Sequence, residues 1–152
     1  MKVSCIQLSS GEDYRENLKK YLYYIRKSID KGADLILTPE VSSIVTINKN
    51  TLLLNSYSMK DDLFINETKL LSKKYKKWIL IGSLIIKISK NKLVNRSVLI
   101  DKNGKIRTYY DKIHMYDVVL SKKEKYFESK TFAAGNKVKS FNLPWGKLGL
   151  SI

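Results

Sequence analysis

A strand, a helix and a second strand fill residues 1–39, and their order constrains the fold more than anything that follows. Residues 3–8 form a short apolar run closed at once by Ser9, Ser10 and Gly11, which reads as a buried strand. Over residues 17–31 the positions Leu18, Leu22, Ile25 and Ile29 recur at helical spacing with basic residues between them, so an amphipathic helix is expected there. Gly32 is placed to stop it. Residues 34–38 then form a second buried strand, ended by Pro39. Two strands joined through a helix must run parallel in a covered sheet. The chain is therefore α/β.

The remainder extends that sheet. Residues 61–75 read as a helix with Phe64, Leu71 and Tyr75 along one side. Residues 78–86 read as a third strand, and Gly82-Ser83 inside it marks a bulge or a close backbone approach. Residues 92–100 and 106–110 are a fourth and a fifth strand, joined by the turn Asp101-Lys102-Asn103-Gly104. Residues 42–57 are mixed in character and are expected to form a loop passing near a site. Residues 111–136 look long and irregular, which points to a functional segment. A short strand over 138–141, a turn at Pro144-Trp145-Gly146 and an apolar strand from 147 to 152 follow. The last residue falls inside a buried strand, which suggests an incomplete chain.

With 43% hydrophobic and 28% charged residues among 152, the composition suits one soluble domain. The net charge is +15, from 29 Lys and Arg against 14 Asp and Glu. Such an excess can attract nucleic acid. Here it is mostly lysine spread from Lys2 to Lys147, densest at Lys73-Lys74, Lys76-Lys77 and around Lys122, Lys123 and Lys125. No nucleic-acid motif accompanies it, so a solvated basic face is expected, with no specific nucleic-acid partner. Cys5 is the one cysteine, too few for a disulfide framework or a zinc site. In the middle of the first strand it is expected to be a small inert hydrophobe. No signal peptide and no run of membrane-spanning length is present, and a reducing cytoplasm is the default location.

Taken singly, the candidate chemical residues are unremarkable. Glu40 follows the second strand, Lys112 and His114 follow the fifth, and Glu128 lies in the long irregular stretch. A lone Glu or Lys in such places is usually solvated. His114, the sole histidine, has no cysteine or second histidine near it in sequence and is expected to pack or hydrogen-bond rather than bind metal.

Their order is what carries information. The run Leu35-Ile36-Leu37-Thr38-Pro39-Glu40 resembles the strand that delivers the catalytic glutamate in the nitrilase superfamily of carbon–nitrogen hydrolases. Tyr110-Asp111-Lys112-Ile113-His114 resembles that family's lysine motif, with Asp111 where a basic residue is usual. Phe127-Glu128-Ser129 with Phe132 and Gly135 resembles the segment of its second glutamate. Gly146-Lys147-Leu148-Gly149-Leu150-Ser151-Ile152 resembles the strand leading to its nucleophile. Asn95 also fits. The resemblance spans essentially the whole chain and leans toward amidases acting on deaminated glutathione and on ω-amides.

The resemblance implies a cofactor-free, metal-free hydrolysis of a small-molecule amide by a Cys-Glu-Lys triad. Glu40 would be the general base, with its proton affinity raised by burial. Lys112 would donate to the oxyanion, and Glu128 would hold Lys112 and the substrate. The nucleophilic cysteine is expected just after Ile152, so residues 1–152 are expected to be an inactive part of the catalytic domain. The fold implied is the N-terminal half of a four-layer α-β-β-α sandwich, incomplete, with the inner face of its sheet bare and prone to association. Relatives of this kind are usually homo-oligomeric. The alternative is a half-length pseudoenzyme that acts as a binding or regulatory module.

Overall fold

Asp13 starts the first helix. Its carboxylate accepts the backbone N–H groups of Arg15 at 2.9 Å and Glu16 at 3.0 Å, satisfying two of the orphan donors of a helix N-terminus. In the computed structural model, which describes residues 1–122 and 124–152, α1 spans Tyr14–Asp30 and connects β1 (Val3–Cys5) to β2 (Leu35–Leu37). The expected start at residue 17 is late because the cap is Asp13. Asn17 is instead buried, donating its amide to the carbonyls of Gly11 and Ser43. Gly32, at φ +76°, takes the left-handed turn that ends the helix. β1 and β2 pair in parallel, and β2 pairs in parallel with β3 (Trp78–Ser89). β4 (Lys92–Ile100) and β5 (Ile106–Asp111) then add antiparallel strands, giving the order β1-β2-β3-β4-β5. The intervening helices are α2 (Lys49–Leu54) and α3 (Leu63–Tyr75).

Period-two alternation divides the sheet into two faces. Ile36, Ile79, Ile81, Leu84, Val94, Val98 and Ile100 turn toward α1 and α3, where Tyr21, Ile25, Phe64, Ile65 and Leu71 cover them. Leu35, Trp78, Leu80, Leu99 and Tyr110 turn the other way. The bare inner face expected from the sequence is not observed there. A C-terminal hairpin of β8 (Lys139–Leu143) and β9 (Gly146–Leu150) folds back and lays Phe141, Leu143, Leu148 and Leu150 on that face. Ser140, Asn142 and Lys147 on the alternate positions point outward, exposed. The described residues thus stack as helices, sheet and hairpin.

Four sequence expectations are corrected. Cys5 is exposed rather than buried, because β1 is the edge strand of its sheet, and it is the neighbouring β2 that is covered on both faces. His114 is exposed and does not pack. Residues 111–136 are not irregular: β6 (Asp117–Val119) and β7 (Lys125–Phe127) form a hairpin followed by a 3₁₀ turn, Glu128–Lys130. Residues 42–57 contain α2, capped by Asn48. Of the basic clusters, Lys73 and Lys74 occupy the last turn of α3, where the helix dipole favours cations. Lys123 lies outside the described residues. Among the described residues no helix is long and apolar enough to cross a membrane.

Asp62 caps α3 from a fully buried position. One oxygen accepts the N–H of Ile65 at 3.1 Å, and the other accepts the hydroxyl of Tyr14 at 3.1 Å. Burial outweighs these bonds and pushes the carboxyl from 3.8 up to about 6. The folded chain therefore holds this proton more tightly than the unfolded chain does. The group burdens the fold fully above pH about 6, and the burden is relieved as pH falls toward about 4. Asp62→Asn keeps a capping oxygen but removes the charge. Its unfolding free energy minus that of the parent should rise by on the order of 1–3 kcal/mol between pH 4 and pH 7. Urea titrations at the two pH values check this, and a difference that stays flat with pH would refute it.

Candidate active site

β2 ends at Leu37, and Thr38 and Pro39 continue beside β3, the Thr38 N–H donating to the Leu80 carbonyl at 3.1 Å. A Cβ at Gly82 would stand 2.1 Å from the carbonyl oxygen of Thr38, so only glycine permits this approach. The ladder between β3 and β4 shifts register between Ile81 and Leu84. Both readings of Gly82-Ser83, bulge and close approach, are met. Ser83 N–H donates to the Pro39 carbonyl at 2.8 Å, and Ser42 N–H donates to the Ser83 carbonyl at 2.9 Å. Between them Val41 adopts a left-handed backbone, φ +50°, with its N–H on Ser83 Oγ at 3.0 Å. Glu40 is thereby carried on a tight reversal at the carboxyl end of a parallel strand, where sites in such sheets gather.

Lys112 follows β5. Its N–H donates to the Asn95 carbonyl at 2.9 Å, and its carbonyl accepts the N–H of Gly135 at 2.8 Å. Gly135 has no room for a side chain, since a Cβ would stand 2.3 Å from the Asp111 carbonyl oxygen. Glu128 comes from the 3₁₀ turn after β7. Its carboxylate accepts the N–H of Tyr116 at 2.7 Å, and its own N–H returns to the Tyr116 carbonyl at 3.2 Å. The β6–β7 hairpin therefore fixes this side chain at its base.

These three residues, far apart in sequence, meet. Lys112 Nζ lies 3.1 Å from Glu40 Oε1 and 3.0 Å from Glu128 Oε2. The Lys112 and Glu128 side chains are 14% and 15% exposed, while Glu40 is 49% exposed. The burial expected around Glu40 is thus only partial among the described residues. For Lys112, burial acts to lower its proton affinity, but the hydrogen bonds it donates to Glu128 and Glu40 and their charges prevail, and the net direction is upward. The ammonium is held through neutral pH.

Two participants went unassigned from the sequence. Asn95 Nδ2 donates to Glu40 Oε1 at 2.8 Å, and the Ser83 hydroxyl donates to Asn95 Oδ1. Both are buried. The available signal was a polar residue inside each of two apolar strands, because buried polar groups require partners. Asp111, the departure from the family motif, faces away from the site. It forms a two-pronged ion pair with Arg96 across β4–β5, at 2.6 and 2.8 Å. Neither His114 nor Cys5 joins the cluster. Cys5 lies on the edge strand opposite Leu37. Among the described residues no group of three or more His, Cys, Asp or Glu side chains could hold a metal ion.

An ammonium gripped by two carboxylates at a strand end, with one carboxylate also held by an amide, is suited to proton transfer beside a fixed positive charge. Residues 2–152 match the sequence model of the carbon-nitrogen hydrolases. The chain belongs to the carbon-nitrogen hydrolase family. Within this family it is similar to the deaminated glutathione amidase of Yersinia enterocolitica, 31% identical over 99% of this chain and 53% of that protein. It is also similar to the omega-amidase NIT3 of Saccharomyces cerevisiae, 26% identical over 100% of this chain and 54% of that protein. The fold matches nitrilase-superfamily structures. The crystal structure of the Caenorhabditis elegans NitFhit protein superposes with a TM-score of 0.88 at 25% identity, covering 98% of this chain and 37% of that one. The chain spans about half the length of the curated carbon-nitrogen hydrolases it matches.

Proposed function

We propose that residues 1–152 contribute the proton-transfer and oxyanion-stabilising groups of a hydrolase that cleaves the carbon–nitrogen bond of a small amide. The observation that carries this reading is Lys112 Nζ, held within 3.1 Å of both Glu40 and Glu128. In this scheme Glu40 takes the proton of a cysteine thiol, and the thiolate adds to the amide carbon. Lys112 donates to the oxygen that becomes negative, in a geometry Glu128 maintains. Glu40 passes its proton to the departing nitrogen, so that ammonia leaves and a thioester remains. Glu40 then deprotonates a water, which adds to the thioester. The carboxylic acid leaves and the thiol is restored.

Cys5 is poorly placed to serve, being on the edge strand opposite Leu37. The thiol in this scheme comes from outside residues 1–152, and the 152-residue chain alone is expected to be inactive. The similarity to a deaminated glutathione amidase and an omega-amidase favours ω-amides of small acids as substrates.

Ammonia release from a panel of small amides tests this. The isolated chain should be indistinguishable from its Glu40→Ala variant. Joined to the remaining half of the Yersinia relative, the chain should turn over. In that protein Glu40→Gln and Lys112→Met should each lower kcat by at least about a hundredfold. Turnover by the isolated chain above its Glu40→Ala control would refute the reading. So would a joined enzyme that keeps its rate after both substitutions.

A further inference from the structure

The contacts of Glu40 are unequal between its two oxygens. Oε1 accepts from Lys112 Nζ at 3.1 Å and from Asn95 Nδ2 at 2.8 Å. Among the described residues none donates to Oε2. We infer that Asn95 is a positioning residue that, held by Ser83 and the backbone of Val41, fixes Oε1 as the anchored oxygen and leaves Oε2 as the one that takes up and gives back the proton. This rests on the proposed role of Glu40 as general base and deepens it.

The polarity of the bonds supports the assignment. The Val41 N–H can only donate, and it donates to Ser83 Oγ at 3.0 Å. The serine hydroxyl hydrogen is then free to point at Asn95 Oδ1. With that oxygen engaged, the amide must present its N–H to Glu40. The ring closes on itself, because Val41 is the residue after Glu40. Each bond runs one way, so a proton on Oε1 would face two donors and no acceptor. Oε2 meets no such obstacle. Asn95 is 2% exposed and Ser83 is fully buried, so water cannot readily replace either partner. The ring also lies between the apolar cluster of Leu35, Trp78, Leu80 and Leu99 and that of Ile44, Leu52, Ile85 and Leu93. Strand alternation puts Leu93 and Leu99 on the same face of β4 as Asn95, one on either side of it. A carboxylate fixed at one oxygen presents the other in a constant direction, which proton transfer needs.

Two measurements test the inference. In the 152-residue chain, amide NMR should show one Asn95 side-chain proton exchanging about tenfold more slowly than those of exposed asparagines. Glu40→Ala should abolish that protection, and Ser83→Ala should weaken it. An Asn95 amide that exchanges freely, or one indifferent to Glu40→Ala, overturns the inference. In the joined enzyme, Asn95→Leu should lower kcat about tenfold with KM within about twofold. A purely structural Asn95 would reduce the amount of folded enzyme and leave kcat per folded enzyme unchanged, and that outcome also overturns the inference. Should Asn95→Leu fail to fold, Ser83→Ala carries the same two readouts with smaller changes expected. If wild-type joined enzyme hydrolyses no amide, the catalytic reading fails, and the NMR arm alone still decides whether Asn95 holds Glu40.

Discussion

Asp111→Ala is expected to lower the unfolding free energy of the chain by about 3 kcal/mol, through the guanidinium it leaves behind. The Arg96 side chain is 11% exposed and that of Asp111 is 20% exposed, so water screens this pair little. Arg96 also stacks on the Tyr109 ring, 4.1 Å from its centroid, and directs one nitrogen at Met59 Sδ, 2.9 Å away. Neither contact neutralises a charge. Removing the carboxylate alone therefore strands a cation inside the helix-side packing. Removing both charges does not, and an apolar pair of similar volume is commonly tolerated. Urea midpoints of Asp111→Ala, Arg96→Leu and the double variant Arg96→Leu/Asp111→Ala provide the measurement. The double variant should be closer to the parent than Asp111→Ala is. Strictly additive losses would mean the two charges do not depend on each other.

Gly82→Ala should cost a similar amount, about 3 kcal/mol, and should disturb the site as well. The atom a new methyl would meet is a backbone oxygen 2.1 Å away, with the Thr38 carbonyl carbon behind it at 3.3 Å. A side chain could rotate aside, but this peptide cannot move without taking Pro39 and Glu40 with it. Gly149→Ala is the matching control, because a Cβ there meets nothing within 4 Å, and it should fall within about 0.5 kcal/mol of the parent. Denaturation midpoints and the amide spectrum of residues 40–43 report the two effects separately. A Gly82→Ala chain with unchanged stability and unchanged shifts would contradict the close approach described.

The parallel β-α-β start, the two long helices and the β4–β5 hairpin were legible because their apolar residues recur with the period of the element. β6 and β7 were not legible: three residues each and largely exposed, they bury too little to impose a pattern. α2 was missed for a related reason. It is six residues long with Leu52 as its buried contact, and its clearest sign is the cap at Asn48. Cys5 lies in an apolar run and is nonetheless exposed, because burial depends on what lies on either side of the strand. Sequence order linked Glu40, Lys112 and Glu128 by resemblance, but no local pattern shows that Lys112 lies between the other two. The Arg96–Asp111 pair was hidden by geometry. Counted outward from Ile100 and Ile106 at constant register, Arg96 would oppose Tyr110. A one-residue shift between Leu99 and Ile100 brings it opposite Asp111 instead.

Val41 is a β-branched residue in a backbone region that such residues avoid, at a penalty of roughly 1–2 kcal/mol. Glycine would make the same turn without that penalty, and would also let the preceding carboxylate wander through a wider range of directions. A stiff residue in an uncomfortable posture has few alternatives nearby. The chain has thus given up a little thermodynamic comfort at one peptide and gained a narrow angular spread for the group next to it.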